Sequence, residues 1–182
     1  MPILFGTVLI LAATALVELF LGRTFLGPNG FGVWSGDIWS IDNSQLIADA
    51  YSFSHVIHGM IFYWFLWLIA RKLPLRYRFL GALLLEAAWE VLENSPLIIN
   101  RYREATIALG YVGDSIMNSL ADIGMTAIGF EVARRYSVRV TVALILIMEI
   151  GCLIWIRDNL TLNVLMLAWP IDAVREWQSA LR

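Results

Sequence analysis

The sequence predicts an all-α protein, a polytopic bundle of helices that spans a membrane five times. Hydrophobic residues make up 59% of the 182 residues and charged residues only 15%, whereas soluble domains are about half apolar and about a quarter charged. The apolar residues fall into long runs of about 20 residues, the length that crosses the hydrocarbon core as a helix. Two short loops concentrate Lys and Arg, a pattern that sets orientation in a membrane.

The predicted spans cover five segments of the chain, residues 3–21, 51–70, 79–99, 112–133 and 138–156. We treat residues 1–182 as one integral membrane domain, with a functional core at about residues 49–130. The tail, residues 157–182, holds an apolar stretch too short to span, followed by Pro170, which ends or kinks helices. We expect this tail to lie at the membrane interface, with a sixth span as the alternative.

The basic residues determine the predicted orientation. The loops after the second and fourth spans hold 7 of the 13 Lys and Arg, namely Arg71, Lys72, Arg76, Arg78, Arg134, Arg135 and Arg139. The positive-inside rule places these loops and the N-terminus in the cytoplasm. A net charge of −2 offers no basic field for nucleic acid, and the single Cys152 excludes an intramolecular disulfide.

Three predicted spans each carry one stripe of polar side chains. The stripes are His55 and His58 in the second span; Glu86, Glu90 and Glu93 in the third; and Asp114, Asn118 and Asp122 in the fourth. Residues three or four apart share a helix face. Charged groups are costly in hydrocarbon, so these stripes are expected to face a bundle interior or a wet cavity. At a rise of about 1.5 Å per residue, they overlap roughly 6–15 Å below the outer surface.

This predicted polar layer has three interpretations that the residues leave open. The first is acid–base or ligand chemistry, with Glu90, Glu93, His55, His58 and Asp114 as the catalytic residues. The second is a divalent metal ion, with His55, His58, Glu90 and Glu93 as its candidate ligands. The third is a structural hydrogen-bond network that locks the helices together.

The segment of residues 100–111 connects the third and fourth spans at the mouth of this layer. Its Arg101 and Arg103 are candidate anchors for an anionic group, because guanidinium binds phosphate or carboxylate bidentately. Asn118 and Asp122 complete the predicted substrate-binding set. The alternative is that the two Arg pair with nearby carboxylates of the chain itself, those of Glu93, Glu104 or Asp114.

The longest predicted connection, residues 22–50, combines glycines with Trp34 and Trp39. Trp is favoured at the headgroup layer, so we expect this loop to fold back onto the membrane surface. The alternative is a lid over the polar layer.

The chain resembles an uncharacterised family of bacterial multi-pass inner-membrane proteins in four segments, SHVIHG, EAAWEVLENSP, NRYRE and GYVGDSIMNSLADIGM. More distantly, about residues 49–129 are similar to VanZ-like membrane proteins. That group tends to show an intramembrane His, a Glu at a helix end and an Arg in the next loop. An Asp-x-x-x-Asn motif at the start of the following helix and a later Gly complete the pattern. The matching positions are His55 or His58, Glu90 or Glu93, Arg101 or Arg103, Asp114 with Asn118, and Gly124 or Gly129. The resemblance implies a multi-pass envelope protein and brings no established reaction.

The predicted function is that of a bacterial inner-membrane protein whose polar site opens to the periplasm. Its predicted partners are membrane lipids, and it would bind or act on an envelope lipid or a lipid-linked precursor, for which the two Arg favour an anionic one. The alternative is a non-enzymatic membrane subunit or scaffold, in which the polar residues only lock helix packing.

Overall fold

A computed structural model describes residues 2–108 and 110–180 of the chain. Within them, helices account for most of the structure, and two short strands lie in the loop between the first two helices. The elements are α1 Pro2–Phe20, β1 Trp34–Ser35, β2 Ala48–Asp49, α2 Ser52–Ala70, α3 Leu75–Glu93, α4 Pro96–Ala105, α5 Ile116–Arg135, α6 Val138–Ile156, α7 Leu160–Ala168 and α8 Asp172–Ser179. The predicted helical class is confirmed.

The third predicted span is wrong at its C-terminal end. Helix α3 ends at Glu93, and a separate helix, α4, begins at Pro96. Ser95 is extended, with ψ at 151°, as expected for a residue that precedes proline. The Ser95 hydroxyl accepts from the backbone N–H of Ile98 at 3.5 Å and caps α4. The Ser-Pro pair therefore redirects the chain at the end of α3.

Within residues 2–108 and 110–180, three helices are long and apolar enough to cross a membrane. They comprise residues Ile3–Phe20, Ser52–Ala70 and Val138–Ile156. Helices α3 and α5 have similar lengths, 19 and 20 residues, but they carry more charged side chains. The tail forms two helices of 9 and 8 residues, and neither is long enough to span alone.

Helices α2 and α5 cross in backbone contact at two glycines. A Cβ on Gly59 would lie 2.0 Å from the carbonyl oxygen of Thr126, and one on Gly129 would lie 1.9 Å from that of Val56. Glycine at both positions allows this approach. The close crossing brings the polar faces of the two helices together on the N-terminal side of the two glycines. There the Thr126 hydroxyl donates to the carbonyl of His55 at 2.9 Å.

The bundle has an apolar outer surface and a polar interior. Phe20 of α1 is 90% exposed and Ile154 of α6 is 77% exposed, whereas Glu86 and Glu90 of α3 are 0% exposed. In a soluble protein, exposed apolar residues of this size are scattered rather than continuous. This distribution is the one expected where hydrocarbon surrounds the bundle.

The loop of residues 21–51 packs across one end of the bundle. Its strands pair in parallel, Trp34 with Ala48 and Ser35 with Asp49. The Trp34 ring stacks on Trp155 of α6, with ring centroids 5.9 Å apart. The Trp34–Trp155 contact holds the loop against the C-terminal end of α6.

Candidate functional site

The centre of the site is a contact between two imidazoles and one carboxylate. His55 Nδ1 lies 2.5 Å from Glu86 Oε1, and His58 Nδ1 lies 3.0 Å from Glu86 Oε2. The spacing of three residues on α2 turns both rings toward α3, as their stripe predicted. A carboxylate accepts hydrogen bonds, so each imidazole donates through Nδ1 and leaves its Nε2 for another partner.

Two further carboxylates surround His55. Glu90 Oε1 lies 3.3 Å from His55 Nδ1, and Asp122 Oδ2 lies 3.8 Å from His55 Nε2. The Asp122 carboxylate also accepts a hydrogen bond from the Ser52 hydroxyl at 3.1 Å. Glu86 and Glu90 of the third predicted span and Asp122 of the fourth therefore surround His55. Asp114, which the sequence places in the fourth span, lies before α5 begins at Ile116.

Glu90 differs from Glu86 and Asp122 because its oxygens, like those of the buried Glu18 in α1, have no hydrogen-bond partner among the described residues. The nearby Nδ1 of His55 is engaged with Glu86 at the shorter distance. Burying an ionised carboxylate without a partner is costly. We therefore expect Glu90 to hold a proton or to bind a cation.

Asn94 connects the end of α3 to a second polar layer. Its side-chain Nδ2 lies 3.0 Å from Asp114 Oδ2 and 3.2 Å from Ser119 Oγ, and its Oδ1 accepts from the Asp114 backbone N–H at 2.7 Å. The Tyr111 hydroxyl donates to the other Asp114 oxygen at 2.9 Å. Asp114 is thus held by several donors, and its role in the predicted catalytic set stays a prediction.

The loop of residues 21–51 is tied to α5 by hydrogen bonds. Asn118 Nδ2 donates to the carbonyl of Leu46 at 2.8 Å, and the Ser115 hydroxyl donates to that of Gln45 at 3.0 Å. Asp49 accepts from the backbone N–H groups of Ser44 and Tyr51 at 2.8 and 2.7 Å. Burial raises the pKa of Asp49, while these two hydrogen bonds oppose the shift.

A chamber of about 440 Å³ lies between the loop and helices α2, α3, α4, α5 and α7. Its polar wall includes six of the residues that the sequence singles out, His55, His58, Glu93, Asp114, Asn118 and Asp122. Most of its surface is apolar, with side chains that include Phe62, Leu85, Trp89, Leu92 and Val164. Ile38 and Trp39 of the loop also line it, so the loop covers the site, which was the alternative to a purely interfacial loop.

The two arginines of the predicted anion site point elsewhere. Arg101 Nε donates to the carbonyl of Leu167 at 2.8 Å, and Arg103 Nε donates to that of Tyr111 at 2.5 Å. Neither side chain lines the chamber. In these positions they join α4 to its neighbours rather than to Glu93, Glu104 or Asp114.

In the part of the chain that the structure describes, three groups of side chains offer ligand atoms close enough for one metal ion: His55, His58 and Glu86; His55, Glu90 and Asp122; and Glu90, Glu93 and Asp114. In each group the ligand atoms lie within 4.8 Å of one another. The predicted ligands His55, His58, Glu90 and Glu93 are divided among these groups. Nitrogen and oxygen donors together suit a first-row transition metal.

Several site residues lie outside the predicted set. Glu86 belongs to the α3 stripe but was not assigned a role, and its contact with both imidazoles follows only from how α2 and α3 pack. Asn94, Asp49 and Tyr111 lie at helix ends or in loops, where no periodic pattern marks them. The Ser95–Pro96 break was the available signal that Asn94 ends a helix and can turn inward.

These features define a class: a helical protein with an apolar surface and a buried cluster of imidazoles and carboxylates beside a chamber. Comparison with known proteins then shows that the chain belongs to the family described as Protein of unknown function (DUF2585), whose model matches residues 18–180. The predicted membership of an uncharacterised bacterial family is confirmed.

The relatives are bacterial proteins of similar length. A UPF0314 protein of Agrobacterium fabrum is 57% identical over 139 residues, which cover 76% of this chain and 70% of that protein. A UPF0314 protein of Sinorhizobium fredii is 48% identical over 173 residues, 94% of this chain and 88% of that protein. A UPF0314 protein of Paracoccus denitrificans is 47% identical over 177 residues, which cover 97% of this chain and 92% of that protein. No solved structure matches the chain.

Proposed function

We propose that the protein is a multi-pass inner-membrane protein that binds an envelope lipid or a lipid-linked precursor and carries out acid–base chemistry on its polar end. Helices α1, α2, α3, α5 and α6 would span the membrane, with the N-terminus in the cytoplasm and the chamber open toward the periplasm. The basic loops after α2 and α5 support this orientation. The order of His, Glu, Arg and Asp-x-x-x-Asn supports a distant relation to VanZ-like proteins.

The main support for the proposal is that apolar and polar side chains line the same chamber. Apolar side chains, such as Phe62, Leu92 and Val164, cover most of its wall, and His55 and His58 lie in the same wall. Ligand sites of this size are mostly apolar, with a few polar groups that fix orientation. A molecule that fits such a site has a long apolar part and a small polar end, as a membrane lipid does.

The charged residues of α3 and α5 are compatible with spanning because they face inward. Glu86 and Glu90 are buried, as is Asp122, whereas Leu84 and Ile128 on the opposite faces are exposed. Intramembrane carboxylates are tolerated when they face the bundle interior and have partners. Glu93 ends α3 on the chamber side. The other charges of α3 and α5 lie at their cytoplasmic ends in the proposed orientation, at Arg76, Arg78, Glu131, Arg134 and Arg135.

The contact between His55 and Glu86 supplies the proposed chemistry. A carboxylate that holds one imidazole nitrogen fixes the ring and its tautomer, which leaves Nε2 to take or give a proton. His55 lines the chamber while Glu86 lies behind it, so the imidazole is the group that would meet the ligand. Glu86 would then be a positioning residue.

Lipid analysis of a deletion strain tests this function. The strain is complemented with the wild-type gene, with His55→Asn, or with Glu104→Gln, a control at an exposed residue outside the chamber. Loss of an acid–base group slows a reaction on the order of 100-fold or more. We therefore expect the His55→Asn strain to share the altered envelope lipid profile of the deletion, while Glu104→Gln restores the wild-type profile.

Two results would overturn the proposal. One is a deletion strain whose envelope lipids match those of the wild type. The other is full restoration by His55→Asn. Membrane levels and thermal unfolding of each variant are measured in parallel, so that a protein lost through misfolding is not mistaken for an inactive one.

The alternative function, a structural scaffold, is favoured by one observation. The Asn94 side chain is fully engaged with Asp114 and Ser119, which joins α3 to α5 without leaving a group free for a ligand. If the whole cluster had this role, Glu86→Gln would abolish folding and leave no species with a normal thermal transition. An inactive Glu86→Gln variant that melts as the wild type does would support the catalytic function instead.

A further inference from the structure

We propose that a divalent transition-metal ion binds between α2, α3 and α5, with His55, Glu90 and Asp122 as its protein ligands. Each residue contributes one ligand atom, and these atoms lie within 4.8 Å of one another. Ligand atoms bound at about 2.1 Å from an ion are at most about 4.2 Å apart. The side chains would therefore move inward to close around the ion, and Glu90, whose Oε1 lies 3.3 Å from His55 Nδ1, would turn toward Nε2.

Glu90 provides independent evidence for a ligand at this point. It is 0% exposed, and neither carboxylate oxygen has a hydrogen-bond partner among the described residues. Buried charges are normally paired or coordinate metals. The His55 ring beside it is already held by Glu86, so a cation shared with Asp122 would satisfy the Glu90 carboxylate.

The charge of the surroundings also favours a cation. Carboxylates near the site are those of Asp49, Glu86, Glu90, Glu93, Asp114 and Asp122. No Lys or Arg side chain lines the chamber in the described part of the chain. Arg23, the basic residue on the Asp114 side, donates to the carbonyl of Val112. Two imidazoles alone cannot balance this number of carboxylates, and a divalent ion would reduce the excess of negative charge.

The contact of His55 with Glu86 matches the way metal-bound imidazoles are held. A ligating His usually donates its second ring nitrogen to a carboxylate or carbonyl, which fixes the tautomer and the ring orientation. His55 Nδ1 makes such a contact with Glu86 at 2.5 Å, and its Nε2 faces Asp122 at 3.8 Å. His58, which also contacts Glu86, would lie outside the ligand set.

Three protein ligands leave a coordination position for water or for a polar group of a bound molecule. His55 and Asp122 both line the chamber, so this position would be accessible from it. A metal ion would bind here whether or not a lipid enters the chamber. The metal proposal and the proposed lipid chemistry can therefore fail separately.

Metal binding to the purified full-length protein tests the proposal. After treatment with a chelator, the protein in detergent is titrated with Zn²⁺ and with Co²⁺, whose absorption spectrum reports the ligands. We expect one ion per chain for the wild type and at least 100-fold weaker binding for Glu90→Gln and for Asp122→Asn. Glu104→Gln, at an exposed residue outside the chamber, is the control and should bind the ion as the wild type does. Glu93→Gln tests the alternative ligand group of Glu90, Glu93 and Asp114, and we expect it to retain binding.

The outcomes are distinct. Wild-type protein that binds neither ion, or Glu90→Gln and Asp122→Asn that bind as tightly as the wild type, would overturn the metal site. Loss of binding in Glu93→Gln with binding retained in Asp122→Asn would also overturn it, because the ligands would then be Glu90, Glu93 and Asp114. A normal thermal transition for at least one of the two ligand variants separates lost binding from lost folding. An altered lipid profile in the deletion strain, together with no metal binding by the purified protein, would support the lipid function and contradict the metal site.

Discussion

Glu86 is the side chain on which the orientation of both imidazoles depends. It is fully buried and contacts His55 and His58 through its two oxygens. A carboxylate in hydrocarbon is stable only with such partners, and an imidazole held by one carries a defined tautomer. The residue-level geometry therefore links the stability of the bundle to the chemistry available at His55.

Asp158 is a buried carboxyl outside the helices, in the connection between α6 and α7. It accepts a hydrogen bond from the Tyr51 hydroxyl at 3.1 Å and one from the Asn159 backbone N–H at 2.9 Å. Burial raises the pKa of Asp158 from 3.8 to about 6, against the effect of these hydrogen bonds. The fold thus favours the protonated carboxyl more than the unfolded chain does.

This raised pKa predicts a pH dependence of stability. The contribution of Asp158 is fully present below its unfolded pKa and is lost as pH rises through its folded pKa, from about 4 to about 6. We expect the wild type to lose on the order of 2 kcal/mol relative to Asp158→Asn across this window. Thermal unfolding in detergent at pH 4.5 and pH 7.5 measures the difference. Glu104→Gln is the control, and an unchanged difference between wild type and Asp158→Asn would contradict the prediction.

At the scale of elements, the α2–α5 crossing determines whether the site forms. Gly59 and Gly129 let the two backbones touch, and this contact lies one turn from His55 on α2 and two turns from Asp122 on α5. Helix α5 contains two glycines, Gly124 and Gly129. Which of them lies at the crossing follows from packing, since Gly129 meets α2 while a Cβ on Gly124 would meet nothing within 4 Å.

Alanine at the two glycines tests this crossing. Gly59→Ala or Gly129→Ala puts a methyl group into the backbone of the partner helix, so the helices must separate, which we expect to cost on the order of 2 kcal/mol. Gly124→Ala lies on the same helix as Gly129 in open space and should be neutral or slightly stabilising. Thermal unfolding of the three variants in one detergent gives the comparison. Melting of Gly59→Ala and Gly129→Ala at the wild-type temperature would show that the backbones do not touch.

At the scale of the whole molecule, the distribution of polar and apolar residues is the reverse of that in a soluble protein. The exposed surface of α1 and α6 is rich in Leu, Ile, Val and Phe, and the interior between α2, α3 and α5 holds the acids and imidazoles. The polar interior is also where three helices and a loop converge. In the proposed orientation, a ligand would reach the chamber from the periplasmic side.

Cysteine labelling tests the proposed orientation. In a Cys152→Ala background, Lys72→Cys lies in the loop between α2 and α3, and Glu104→Cys lies in α4, on the other side of α3; both positions are exposed. We expect a membrane-impermeant thiol reagent to label Glu104→Cys from the periplasm and Lys72→Cys only after lysis. Labelling of both from one side would show that α3 does not span, and the reverse pattern would invert the orientation.

Much of the architecture follows from local sequence alone. The apolar runs predict five spanning helices. Among the described residues five helices have 19 or 20 residues, three of these are apolar enough to span, and α6 lies at the predicted residues 138–156. Helical spacing also predicts that His55, Glu90 and Asp122 face inward. Local signals work here because a helix satisfies its own backbone hydrogen bonds, and its period of about 3.6 residues fixes which side chains share a face.

Other features depend on contacts between segments that are distant in the chain. These include the choice of Glu86 as the partner of both imidazoles, the inward turn of Asn94, the covering of the chamber by the loop of residues 21–51, and the positions of Arg101 and Arg103 against backbone carbonyls. A stripe of polar residues indicates which face of a helix is polar. It does not indicate which atom of a neighbouring helix lies opposite that face. The sequence by itself thus determined a helical, membrane-type bundle with inward-facing acids and imidazoles. Only the tertiary structure decided which side chains pair and where the chamber lies. Helix crossing and loop packing set these distances, and the helical repeat of a single segment does not determine them.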